Sequence, residues 1–191
     1  RCGAGAYVAL AAALCDAIDA KLRREMGGLT RQPRLFTHTL NEALAFEREL
    51  RHTLQVPASV PGVLRALYGT PAALQQWLAA EEDDAQAQLA RLMDGARAWE
   101  PTVGGMAAAE AADGGAAAAP ACVVGVMKHG RLLASRLELV DDKEAARKLL
   151  GGPMGGLLDG LLSQLRSRAA LLIVNEHQVG RWGDVGGLLH A

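Results

Sequence analysis

Aromatic side chains make up only 4% of the 191 residues, isoleucine is scarce, and the three cysteines, Cys2, Cys15 and Cys122, lack metal-ligand spacing. Each shortage excludes something. A chain so poor in rings and Ile has little from which to build a sandwich or barrel, so a core of Leu and Val packed around Ala favours helices. Three cysteines cannot all pair with one another, and a reducing compartment, by default the cytosol, is the simpler reading. Charge of one sign is also missing: 20 Lys+Arg against 21 Asp+Glu leave a formal net charge of -1. Arginines alternate with acids, as in Glu47, Arg48, Glu49 and Arg51, so the basic stripe that a nucleic-acid partner needs is not expected. The longest apolar run, Gly3 to Cys15, has 13 residues and is closed by Asp16 and Asp19. That falls short of the roughly 18 to 20 required to span a bilayer. Its periodicity continues past the charges through Ile18 and Leu22, unlike a cleaved signal peptide. The chain opens on Arg1 and is read as an excerpt of a longer polypeptide.

What is present reads as helices. The hydrophobic share of 50% is enough to fill a core. Val8, Leu14, Ile18 and Leu22 recur at helical spacing between Ala4 and Met26, with Gly27-Gly28 as the expected stop. After Pro33, an apolar stripe of Phe36, Leu40, Leu44, Leu50 and Leu54 predicts a helix of about five turns ending before Pro57. Glu42, Glu47, Arg48, Arg51 and His52 are placed largely on its other side. Val60, Val63, Leu64 and Leu67 predict a short helix or packed turn.

Thr70-Pro71 supplies an N-cap and a proline at the first helical position. The helix it opens would bury Leu74, Trp77, Leu78, Ala85, Leu89, Leu92, Met93, Ala96 and Trp99, with Glu81, Glu82, Asp83 and Asp84 near the solvated side. Residues 101–120 hold four Gly and nine Ala between two prolines, and are read as a flexible loop. A further helix from Ala121 carries Val124, Met127, Leu132 and Leu133, and Asp141 with Glu144 resembles a capping pair for the next one. GGPMGG, Gly151 to Gly156, is expected to break or kink that helix, and the segment from Ala169 to Ala191 begins as an apolar run and ends rich in glycine. The expected fold class is therefore all-α, with 1–100 one part of a helical bundle, 101–120 a loop, and 121–191 its continuation.

The search for chemistry returns little. His38 and Glu42 stand one helical turn apart, but a zinc protease motif needs two histidines around the glutamate. His52, His129, His177 and His190 form no metal pair either, and GGPMGG follows a helix where a phosphate-binding loop follows a strand. Cys15 and Cys122 have no neighbouring base in sequence, and read as small buried hydrophobes. The acidic run Glu81 to Asp84 reads as a solvated helix face rather than a recognition patch. No catalytic, cofactor-binding or metal-binding residues are expected.

The segment HTLNEALAFERELR, His38 to Arg51, together with Trp77, Trp99, LELVDDKEAARKLL (Leu137 to Leu150) and VNEHQVGRWGDV (Val174 to Val185), resembles the RINT/TIP family of tethering subunits. These belong to the Dsl complex, NRZ in animals, at the endoplasmic reticulum. The order of the segments carries the resemblance. It implies an antiparallel helical bundle or rod segment of a multisubunit tethering complex, without catalysis or cofactor. It also implies a cytoplasmic, peripheral location at the endoplasmic reticulum, and a role in Golgi-to-ER retrograde transport with sister subunits and ER SNARE proteins as partners. Two other classes compete: a generic helical scaffold unrelated to trafficking, and a helical enzyme whose site assembles from distant residues. No fixed-period repeat is seen, which counts against a solenoid.

Overall fold

A computed structural model of the chain describes residues 2–100 and 119–186, with side chains described for 5–100 and 119–171. The loop expected at 101–120 therefore lies almost wholly outside the described residues. Among the described residues six α-helices follow in order: α1 Cys2–Leu29, α2 Pro33–Arg48, α3 Arg65–Tyr68, α4 Pro71–Met93, α5 Ala121–Leu137 and α6 Lys143–Gly186. A π-helical turn, Glu49–Thr53, extends α2, and no strand occurs among the described residues. The fold class is all-α, as expected.

α1 and α2 form an antiparallel hairpin whose open end is tied by Tyr7 Oη donating to the Leu54 carbonyl at 2.8 Å. The Gly27-Gly28 pair does not end α1, which runs on to Leu29. Met26 and Leu29 are both buried, and that burial offsets the roughly 1 kcal/mol that each helical glycine costs relative to alanine. Thr30 and Arg31 side chains donate to the Met26 and Gly27 carbonyls, satisfying the helix end. The buried face of α1 carries Ala11, Cys15, Asp19, Met26 and Leu29, with Val8, Ile18 and Leu22 packed at its margin. Leu14, expected inside, faces out, because Cys15 holds the core position one residue on.

In α2, Phe36, Leu40, Leu44 and Leu50 are buried as the stripe predicted. Leu54 is exposed, because α2 gives way to the π turn before reaching it and Gln55 adopts a left-handed φ of 51°. Glu47 is the larger correction. It is buried beside Leu44, three residues along the same face, because Arg51 and the Val63 N–H partner its carboxylate there. The segment 54–64 then folds under the hairpin, burying Val56, Val60, Val63 and Leu64.

α4 starts at Pro71, but the Thr70 hydroxyl donates to the Ala66 carbonyl instead of capping it. Its buried residues are Ala73, Trp77, Glu81 and Ala85, while Leu74, Leu78, Leu89, Leu92 and Met93 are only half-buried. The helix stops at Met93, so Ala96 and Trp99 sit in the turns beyond it, Ala96 exposed and Trp99 half-buried beneath the Arg168 guanidinium, 4.4 Å from its ring. Glu82, Asp83 and Asp84 are exposed as expected; Glu81 is not. Backbone bonds from Ala121 N to Glu100 O (3.1 Å) and Cys122 N to Ala98 O (2.8 Å) bring the flanks of 101–118 together.

α5 returns antiparallel to α4, with Leu92 against Gly125 at one end and Arg136 on Glu81 at the other. It buries Cys122, Val126, His129, Gly130 and Leu133, so Met127 and Leu132 point out, contrary to the expected face. α6 runs unbroken through GGPMGG, against expectation. Pro153 is fully buried, Gly130 lies against Met154, and Gly152 and Gly160 leave room for Glu82 and Leu89 of α4. Close packing against α4 thus offsets the missing proline hydrogen bond. The same contacts show that α4 and α6 run parallel, while chain-adjacent α4/α5 and α5/α6 are antiparallel.

The cap of α6 is Asp142, one residue after the expected Asp141: its Oδ1 accepts from Ala145 N at 2.7 Å. Asp142→Ala should lower stability by about 1 kcal/mol, read as a fall in the urea midpoint with an unchanged slope. Leu139, Val140, Ala145 and Leu149 join the main core formed by α1 to α4, and a smaller cluster of Ala85, Leu133 and Leu157 lies further along.

Candidate functional site

The segment His38 to Arg51 builds the most developed polar structure among the described residues. α2 delivers Glu47 to the core side and the π turn places Arg51 one turn on, where its Nε donates to Glu47 Oε1 at 2.8 Å. Glu47 Oε2 accepts from Val63 N at 2.8 Å. The rest of the Arg51 guanidinium donates to the carbonyls of Val56 (3.3 Å), Pro57 (2.8 Å) and Val60 (2.8 Å). Four bonds therefore join one ion pair to the backbone of the 54–64 segment, which otherwise has few partners of its own. Gly62 is required beside it, since a Cβ there would fall on the Glu47 carboxylate. Cys15 lies nearby; burial, then the Glu47 charge, pushes its thiol above the ordinary range.

A second network pins α3 to α1. Buried Asp19 accepts from Arg23 Nε (2.8 Å) and Arg65 Nε (3.2 Å), and Arg65 also reaches Asp16 at 2.7 Å. The bond to Asp19 raises the Arg23 guanidinium further above its usual value. A third joins α4 to α5: Glu81 accepts from Trp77 Nε1 at 3.1 Å and from Arg136 Nη1 at 2.9 Å through both oxygens. Beside it is a cleft of about 140 Å³ lined by Thr37, Leu40, Asn41, Ala80, Glu81, Asp84 and Arg136. His129 lies on the other side of Asp84, with Nε2 3.8 Å from its Oδ2 and no hydrogen-bond partner.

These arrangements hold helices together. Each buried carboxylate is spent on an arginine, and removing either partner would leave a charge stranded. The cleft is smaller than the few hundred Å³ of ordinary small-molecule sites. His38 and His52 are exposed, and Cys122 is buried and free. Among the described residues no three His, Cys, Asp or Glu side chains converge on a metal position, and no helix is long and apolar enough to cross a membrane. Side chains of His177 and His190 lie outside the described residues. Glu47 and Glu81 were missed as core residues, although their positions gave the signal: each falls three or four residues from a buried apolar neighbour, Leu44 or Trp77.

The model of the RINT-1/TIP-1 family matches residues 4–139, from α1 to just past the end of α5. The chain belongs to the RINT-1/TIP-1 family. Comparison with the curated proteins and with the solved structures gave no match. The RINT-1/TIP-1 match encloses all three ion-pair networks, so the residues that set helix against helix lie within the family's own segment. Membership in RINT-1/TIP-1 carries a tethering-related, scaffolding role. The likeness at Val174 to Val185 lies beyond the matched region.

Proposed function

We propose that this RINT-1/TIP-1 chain is a non-catalytic segment of a subunit that tethers Golgi-derived vesicles at the endoplasmic reticulum in retrograde transport. The family match over residues 4–139 carries this reading. Parts 1–100 and 121–191 act as one bundle interrupted by 101–120, a division supported by a main core that takes residues from both sides of the interruption. Helices cross-linked by buried ion pairs suit a part that transmits position without turnover, and the partners are sister subunits of the complex and ER SNARE proteins. Peripheral, cytoplasmic attachment at the endoplasmic reticulum follows from those partners.

Affinity capture of the full-length protein from cell extract tests the proposal. Tethering subunits and SNAREs of the endoplasmic reticulum should co-purify; recovery of a different complex in their place would overturn the assignment.

A further inference from the structure

The chain is nearly neutral as a whole, but its charge is not evenly spread. Residues 20–38 contain Lys21, Arg23, Arg24, Arg31 and Arg34 against Glu25 alone, a net of +4, so the remaining residues carry -5 of the total -1. The fold gathers these five at one place. Lys21, Arg23 and Arg24 lie on the last turns of α1, Arg31 in the link, and Arg34 on the first turn of α2, all within about 12 Å of the hairpin turn along the helix axes. All five are exposed. Arg23 is held by Asp19 and Arg24 pairs with Glu25, while Arg31 uses only its Nε on the Gly27 carbonyl.

One bulky apolar side chain stands among them: Leu35, 44% exposed, next to Arg34. Gly27 and Gly28 add no side chain to crowd the tip. Cations spread over two helix ends fit a surface bearing many anionic groups at no fixed spacing, and an exposed leucine in their midst fits one with an apolar layer beneath the charges. An acidic protein would satisfy the cations but has no use for Leu35 in particular.

We propose that the α1–α2 hairpin tip is a contact site for anionic phospholipid headgroups, with Lys21, Arg24, Arg31 and Arg34 supplying the charge and Leu35 inserting below it. This contact is direct, independent of any partner protein, and separate from the tethering assignment.

Co-sedimentation of the full chain with vesicles tests it, since vesicles carry no sister subunits. Binding is expected to phosphatidylcholine vesicles containing about 30 mol% phosphatidylserine and not to pure phosphatidylcholine, and it should be lost between about 50 mM and about 500 mM NaCl. The double variant Arg24→Glu/Arg34→Glu should bind about tenfold more weakly or worse, with unchanged thermal melting because both side chains are exposed. Leu35→Ser, which leaves every charge in place, should weaken binding about threefold. Equal behaviour on both vesicle types, or full binding by the double variant, would overturn the proposal. Binding to a polyglutamate peptide without vesicle binding would overturn it in favour of an acidic protein surface. None of these results bears on which proteins co-purify.

Discussion

Leu44→Asp should abolish cooperative unfolding or lower the melting temperature by roughly 10 °C or more. Leu44 is 4% exposed on α2, inside the main core with Phe36, Leu40 and Leu50. Truncating such a leucine alone costs about 2–5 kcal/mol, and a carboxylate in its place adds a second buried negative charge on the face that already holds Glu47. Against a typical total of about 5–15 kcal/mol, that is a large fraction of the stability. The introduced carboxyl would hold its proton in the folded state, so its folded pKa lies above its unfolded one. Part of the lost stability should therefore return as pH falls toward about 4, where the neutral acid is the common form in both states. Calorimetry or circular dichroism across pH reads both effects. Unchanged melting at neutral pH would show that the α2 stripe faces solvent.

Glu47→Ala should destabilise by about 3 kcal/mol or more, although the residue is charged and sits in a sequence that reads as a solvated helix face. The change strands the Val63 N–H and the Arg51 Nε, and the 54–64 segment loses one of its links to α2 and the turn that extends it. Arg51 keeps its three carbonyl partners and is partly exposed, which places the loss at the lower end of what broken buried pairs cost. Gly62 supplies a sharper check. Gly62→Ala should be severely destabilising alone, because its Cβ would occupy the position of the Glu47 carboxylate, and much less so when combined with Glu47→Ala. A double-mutant cycle by urea denaturation measures that coupling, and strict additivity would mean the two residues do not meet.

The existence and order of the helices could be read from the chain because helix formation is governed by residues three and four apart. The Phe36 to Leu50 stripe, the Pro71 start and the short turn around Leu64 all come from such local spacing, and the apolar share with few rings pointed to an all-α bundle. Phase was harder. Leu14, Met127 and Leu132 face out, since a leucine or methionine at helical spacing suits either side of an apolar stripe. Only the neighbouring helix selects one: it takes Cys15 and Val126, and of the expected pair Leu132 and Leu133 it takes Leu133.

Glu47, Glu81 and the GGPMGG segment mark the boundary between local and non-local information. Each buried glutamate has one donor a single helical turn away, Arg51 or Trp77, but its other donors come from 16 residues away, at Val63, and from 55 residues away, at Arg136. Nothing in the local spacing announces such partners. Glycine and proline likewise weaken an isolated helix, yet α6 continues because Gly152 and Gly160 let α4 approach and Pro153 is buried. Periodicity is a property of one helix and was legible along the chain; the satisfaction of buried charge and the tolerance of helix breakers depend on what packs against that helix, and became visible only when the helices were assembled.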